Sequence, residues 1–270
     1  MRLPTALRRG LGVWLALGMA FLYVPLLLVV LNSFNTSRTF GFPPSGFTLQ
    51  WWQRAAQSSG AMSALGTSVV AGLSATAIAL LLGSMAAFAV QRYRFFGRST
   101  ISFLVVLPIT LPGIVTGIAL NATFTSLLGP LGVGLGIATV IIGHATFCIV
   151  IVFNNVQARL RRLGTSLEEA SSDLGASGWQ TFWYVTFPQV RGALVAGALL
   201  AFALSFDEIV VTTFTAGPAV QTLPLWIFGN LFRPNQAPVV NVVAAVLTVV
   251  AIIPVALAQR LSGDAVTSRV

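Results

Sequence analysis

Apolar runs and short polar segments alternate along this chain from end to end. The first run, 11–31, is roughly twenty residues, long enough as a helix to cross a hydrocarbon core of about 30 Å. Others lie at 62–90, 101–124, 135–156, 193–214 and 239–258. Together they predict an all-α, polytopic membrane protein with about six transmembrane helices. The first run exceeds the apolar stretch of a cleaved signal peptide, so it reads as a retained signal-anchor, kinked at Pro25. The second is rich in Gly, Ala and Ser, including Gly66, Gly72 and Gly83. Small residues let helices approach closely where lipid supplies no hydrophobic drive. Pro108, Pro112 and Gly113 interrupt the third run, and such breaks survive in a bilayer only where neighbours satisfy the freed backbone groups.

The polar segments differ in kind. Segment 32–60 is turn-rich, and Phe47, Trp51 and Trp52 are expected at the headgroup level. Segment 129–136 is rich in glycine but lacks the strand–helix context of a dinucleotide loop. Segment 215–238 predicts a short interfacial helix carrying Leu225, Trp226, Phe228, Leu231 and Phe232. Segment 159–192 is the most organised. Ser166 followed by Glu169 reads as a capping box, and Leu167, Ala170 and Leu174 share one helical face. Gly175 suits the left-handed position that closes a helix. Ser177 and Gln180 offer a second capping box, Trp179, Phe182 and Trp183 come next at helical spacing, and Pro188 breaks the pattern. The segment therefore predicts two short amphipathic helices joined at a glycine and held between spans, a shape suited to being gripped by another protein.

Composition narrows the function. The chain is 56% hydrophobic and only 8% charged, where a soluble domain carries roughly a quarter charged residues. A net charge of +9 raises nucleic acid as a partner, but the basic residues are all arginine and gather between alternate runs instead of forming one stripe, which argues against it. Arg2, Arg8, Arg9, Arg92, Arg94, Arg98, Arg159, Arg161, Arg162, Arg191, Arg260 and Arg269 fall on one side; Arg38, Arg54 and Arg233 fall on the other. The positive-inside rule then puts both termini and segment 159–192 in the cytoplasm. The absence of lysine excludes a Walker A phosphate loop on this polypeptide, and the single Cys148 excludes an intrachain disulfide.

Charged and polar groups inside the runs are the remaining candidates. His144, the single histidine, lies in the fourth run and is expected to bond a neighbouring carbonyl, the alternative being a proton relay or gate. Asp207 and Glu208 lie in the fifth, about 24 Å along a helix from Arg191. A central charge there costs roughly 2.5–3.5 kcal/mol, so the pair implies a purpose. Neighbouring helical residues point about 100° apart, so one carboxylate is expected to line a pathway and the other to bond a neighbouring helix or subunit, the alternative being that both only tie helices together.

The order Glu169-Ala170-Ser171, three residues, Gly175, nine residues, then Val185-Thr186-Phe187-Pro188 resembles the EAA loop of ABC importer permeases. Ser171 stands for the second Ala of that pattern, Val185 for its Ile and Phe187 for its Leu. The resemblance implies a type I ABC importer permease fold whose loop docks on a separate ATPase. Ala170 and Leu174 would face the ATPase, Glu169 would open the first helix, Gly175 would make the turn, and Trp179 and Phe182 would anchor the second helix. ATP and Mg would then bind the partner, with no cofactor on this chain. Segment 204–241 resembles spermidine/putrescine-type permeases through Ser205-Phe206-Asp207-Glu208, Phe214, Gly217 and Thr222-Leu223-Pro224. That implies a second homologous permease subunit, two ATPase copies, a periplasmic solute-binding protein and a membrane lipid environment, with Asp207, Glu208 and Ser205 on the solute path. Related permeases carry ferric iron, phosphonates or opines. On this reading 1–61 is an N-terminal transmembrane helix and periplasmic loop, 62–258 the permease core of five helices with its coupling loop at 159–192, and 259–270 a cytoplasmic tail.

Two other classes compete. An ion-coupled secondary transporter could use the buried acids, but leaves the organised loop without a purpose. An intramembrane serine protease could use Gly175-Ala176-Ser177-Gly178, which matches a rhomboid-like pattern, but Ser177 lies in a polar loop and His144 precedes it.

Overall fold

Inside a bilayer no water is available to a stray amide, and a helix meets that demand within its own backbone. The computed structural model describes residues 4–233 and 235–267. Its helices are α1 (Thr5–Asn32), α2 (Gln50–Gln57), α3 (Ser59–Arg92), α4 (Arg98–Thr110), α5 (Gly113–Thr123), α6 (Ile137–Leu163), α7 (Ser166–Asp173), α8 (Gly178–Thr181), α9 (Phe187–Phe206), α10 (Val210–Thr215), α11 (Leu223–Asn230) and α12 (Ala237–Thr267). Among the described residues six stretches are long and apolar enough to cross a membrane: Leu7–Asn32, Ser59–Arg92, Gly113–Leu131, Ile137–Leu163, Gly178–Phe206 and Ala237–Arg260. Two of the orienting arginines, Arg2 and Arg269, lie outside the described residues.

Several boundaries differ from the sequence reading, each for a local reason. The third run is two helices, α4 and α5. Pro112 biases Leu111 towards an extended backbone (φ −81°, ψ 145°), which ends α4. The span itself is α5, prolonged by a π-turn at Phe124–Leu128 and a 3-10 turn at Gly129–Leu131. Helix α6 continues through Arg159, Arg161 and Arg162 to Leu163, so the polar loop begins only at Gly164. Helix α12 continues to Thr267, making helix of most of the expected tail.

The chain forms two compact units. One joins the residues up to Met62 with Trp226–Val250. Beyond Arg9 its α1 is apolar all round up to Leu31, with Trp14 and Phe21 exposed, as a lipid-facing helix should be. The loop after α1 is pinned by Asn35, whose Oδ1 accepts from the amides of Ser37 (3.1 Å) and Ser45 (3.2 Å). Trp51 faces the protein: it is 2% exposed, and its indole N–H donates to the Asn35 carbonyl at 2.8 Å. A short helix does follow the fifth span, α11, which carries Leu225, Trp226 and Phe228, while Leu231 and Phe232 lie in the turn beyond it.

The other unit joins Ser63–Leu225 with the residues from Ala251 onward. Its core lies between α3, α6 and α9, where Ala75, Ala79 and Ala87 meet Val152, Phe153 and Val156. Small residues set the spacing. A Cβ placed on Gly83 would stand 2.8 Å from the Ile149 carbonyl oxygen, and one on Gly197 would stand 3.4 Å from the Val152 Cα.

Candidate functional site

Segment 159–192 folds into a helical hairpin. Helix α7 starts one residue earlier than its expected capping box: Thr165 is the N-cap, with no side-chain cap, and the Glu169 amide bonds the Thr165 carbonyl. Ser166 is thus already helical. At the other end the Ala176 amide bonds the Ser171 carbonyl (3.1 Å) and the Gly175 amide bonds the Ser172 carbonyl (2.9 Å). That pair of bonds is a Schellman closure, and it requires the positive φ of +84° found at Gly175. Ser177 and Gln180 form the expected capping box of α8.

Pro188 does not end the second helix. Helix α8 passes through a π-turn at Phe182–Thr186 into α9, making one helix from Gly178 to Phe206. The Phe187 amide reaches back to the Phe182 carbonyl, and the wider turn relieves the clash a proline ring makes with the carbonyl four residues before it. The Gln189 side-chain amide donates to the Val185 carbonyl at 3.0 Å. The hairpin therefore has one short arm, α7, and one arm rigidly continuous with a span.

Polar bonds tie the short arm down. Ser171 Oγ and Thr181 Oγ1, 3.1 Å apart, join α7 to α8. Glu168 accepts from Arg92 Nε at the end of α3 (2.9 Å to Oε2) and from Thr186 Oγ1 in the π-turn (2.9 Å). Arg159 Nε donates to the Gln189 carbonyl at 2.8 Å, linking α6 to α9. Phe182 is half-buried and meets Phe88 of α3 edge-on at 5.8 Å. A cavity of about 900 Å³ lies beneath the hairpin, bordered by Met85, Phe88, Glu168, Phe182 and Leu194. On the hairpin's open side Ala170, Leu174 and Trp179 are exposed, Leu174 at 90%. Glu169 is exposed and its carboxylate has no hydrogen-bond partner among the described residues.

At its far end α9 stops at Phe206, and Asp207–Ile209 break the fifth span before α10. The expectation of an acid pair within one helix is therefore corrected. Glu208 bonds within its own segment, its Oε1 accepting from the Val211 amide at 2.8 Å, and its carboxylate bonds no neighbouring helix among the described residues. Asp207 is exposed, with no partner for its carboxylate among the described residues. Ser205 is 3% exposed and bonds His144 Nδ1 at 2.7 Å. His144 meets two hydroxyls, Ser205 and Thr212. Helix α10 is held at its end by side chains from two others: Asn121 of α5 donates to the Phe214 carbonyl (2.6 Å) and Thr139 of α6 to the Thr215 carbonyl (2.7 Å).

Residues 79–268 match the family described as binding-protein-dependent transport system inner membrane component. The chain belongs to this family. It is 35% identical over 236 residues, 86% of its own length and 83% of the relative's, to the putrescine transport system permease protein PotI of Escherichia coli (strain K12). It is 34% identical over 245 residues, covering 91% of this chain and 90% of the relative, to the spermidine/putrescine transport system permease protein PotC of the same strain. Among solved structures, a bacterial ABC transporter involved in the import of the acidic polysaccharide alginate matches with a TM-score of 0.69. That match covers 96% of this chain and 99% of the other at 17% identity, which speaks for the fold alone. The permease is thus a multi-pass inner-membrane transport subunit of an ABC importer and not an enzyme.

Sequence reasoning missed Glu168, Arg92 and Thr186 as a group. The signal was present, since Glu168 adjoins the recognised Glu169, but 76 residues separate it from Arg92 and no spacing rule joins them. Arg92→Ala in the permease is expected to free α7 by about 2 kcal/mol, the worth of a charge-assisted hydrogen bond. Hydrogen exchange across 166–173 should quicken accordingly, and the exchanged pair Arg92→Glu with Glu168→Arg should slow it again. Unchanged exchange in Arg92→Ala would deny the tether.

Proposed function

We propose that this permease carries a polyamine, putrescine or spermidine, from a periplasmic binding protein to the cytoplasm by alternating access. The relation to polyamine permeases over most of the chain is the observation that carries the solute class. Asp207, exposed at a helix break in a chain of +9 net charge, supports it, because a fixed carboxylate replaces hydration lost by a cationic solute. Glu208 and Ser205 flank it, one holding the start of α10 and the other the end of α9.

The ATPase side of the reading rests on the hairpin. Ala170 and Leu174 form the docking face, Glu169 offers a free carboxylate to the partner, and Gly175 holds the turn. Ser171 locks α7 to α8, Trp179 and Phe182 brace the second arm, Val185 lies in the π-turn and Pro188 in the first turn of α9. Docking on α7 reaches the spans by two routes, the continuous α8–α9 helix and the Glu168–Arg92 bond to α3. Closure of the ATPase then moves the spans as rigid bodies. The arginine distribution supports a cytoplasmic hairpin and cytoplasmic termini. The complete importer would hold this chain, a second homologous permease and two ATPases, with ATP and Mg bound by the latter.

Reconstitution tests the whole reading. Proteoliposomes holding this permease, its sibling subunit and the ATPase, supplied with the binding protein, should accumulate labelled putrescine or spermidine only with ATP inside. ATP-driven uptake of a phosphonate or ferric iron but of neither polyamine would overturn the solute class. Uptake by this chain alone, without ATP, would overturn the importer.

A further inference from the structure

His144 is fully buried, and nothing in the transport scheme uses it. Its ring spans the break in the fifth membrane segment. Nδ1 lies 2.7 Å from Ser205 Oγ, the penultimate residue of α9, and Nε2 lies 2.8 Å from Thr212 Oγ1, in the first turn of α10. The two hydroxyls stand on opposite sides of Asp207–Ile209. Thr212 Oγ1 also donates to the Glu208 carbonyl at 2.9 Å. A hydroxyl has one hydrogen, so this bond obliges Thr212 to accept from Nε2–H. A ring enclosed this completely, touching two hydroxyls and no carboxylate, is neutral, so Nδ1 accepts from Ser205. Every donor then points one way: Ser205 to His144, His144 to Thr212, Thr212 to the Glu208 carbonyl. Helix α6 brings the ring there because Gly143 lets α10 close in, a Cβ on it lying 3.2 Å from Val211 Cγ1.

We propose that His144 is a positioning residue for the acidic break: as its Nε2–H tautomer it splices the end of α9 to the start of α10 and so fixes where Asp207 and Glu208 stand on the transport path. The chemistry suits the place. A broken helix in a bilayer leaves backbone carbonyls without donors, and the relay delivers one hydrogen to the Glu208 carbonyl. Imidazole can accept on one edge while donating on the other, which an amide or hydroxyl manages only over a shorter reach. The functional half rests on the reading that the carboxylates line the path.

Because the chain has a single histidine, ¹⁵N-histidine labelling of the whole permease, purified through a tag free of histidine, reports this ring alone. The spectrum should contain one protonated nitrogen, assigned to Nε2, and one unprotonated nitrogen, and Ser205→Ala should shift the latter. A ring protonated on Nδ1 would overturn the splice. In the reconstituted importer His144→Leu should lower polyamine uptake about tenfold, the loss of one to two buried hydrogen bonds, while binding-protein-stimulated ATP hydrolysis persists. His144→Gln, able to accept and donate, should recover part of the uptake and guards against a variant that merely fails to fold. On an Asp207→Asn, Glu208→Gln background, His144→Leu should add nothing further. An additive loss there would mean that His144 acts elsewhere. Normal uptake by the Asp207→Asn, Glu208→Gln permease would remove the break from the path and the proposed role with it, the nitrogen spectrum still deciding the splice by itself.

Discussion

Uptake by the assembled importer is expected to fall at least about tenfold when Gly175 is replaced by valine, with ATP hydrolysis persisting but no longer tied to transport. The cause is backbone conformation. Gly175 sits at φ +84°, and a Cβ there would meet nothing within 4 Å, so no side-chain clash is involved. An L-residue in this region costs roughly 1–2 kcal/mol, more when β-branched, and each 1.4 kcal/mol is a tenfold change. The Schellman bonds of Gly175 and Ala176 would be the first lost, and with them the angle between α7 and α8. Graded variants separate this from contact with the ATPase. Asparagine tolerates the left-handed region, so Gly175→Asn should transport better than Gly175→Ala, and Gly175→Ala better than Gly175→Val. Equal uptake by all three would show that the turn does not need its glycine.

The second large effect is on assembly of the bundle. Gly83→Val is expected to lower the melting temperature of the detergent-purified permease sharply and to reduce its yield. The new Cβ would fall 2.8 Å from the Ile149 carbonyl oxygen and 3.2 Å from the Phe153 amide, both backbone atoms of α6 that no rotamer change can move aside. Overpacking in a filled core costs about 1–3 kcal/mol where the neighbours are side chains, and more is expected against a helix backbone. Gly66→Ala provides the control, since a Cβ at Gly66 meets nothing within 4 Å and alanine suits a helix better. Comparable melting temperatures for the two variants would remove Gly83 from the α3–α6 contact.

Hydropathy alone determined that this chain crosses a membrane about six times, because spanning length is a property of a run and needs no knowledge of its neighbours. The spacing from Glu169 to Pro188 likewise located the hairpin, since caps and a left-handed glycine are local chemistry. Local rules failed at one proline and wherever a partner lay far along the chain. Pro188 reads as a stop, yet the π-turn before it carries the helix onward. Asp207 and Glu208 read as part of one continuous helix, yet α9 ends beside them. Helix α10 is then held by His144, Asn121 and Thr139, each bonding a residue 68 to 93 positions away. Glu168 reads as an ordinary acid beside a recognised one until Arg92 arrives from α3. Only the packed bundle decides such matters, because a buried polar atom is satisfied by whichever helix brings a donor within about 3 Å, and sequence distance has no bearing on that encounter.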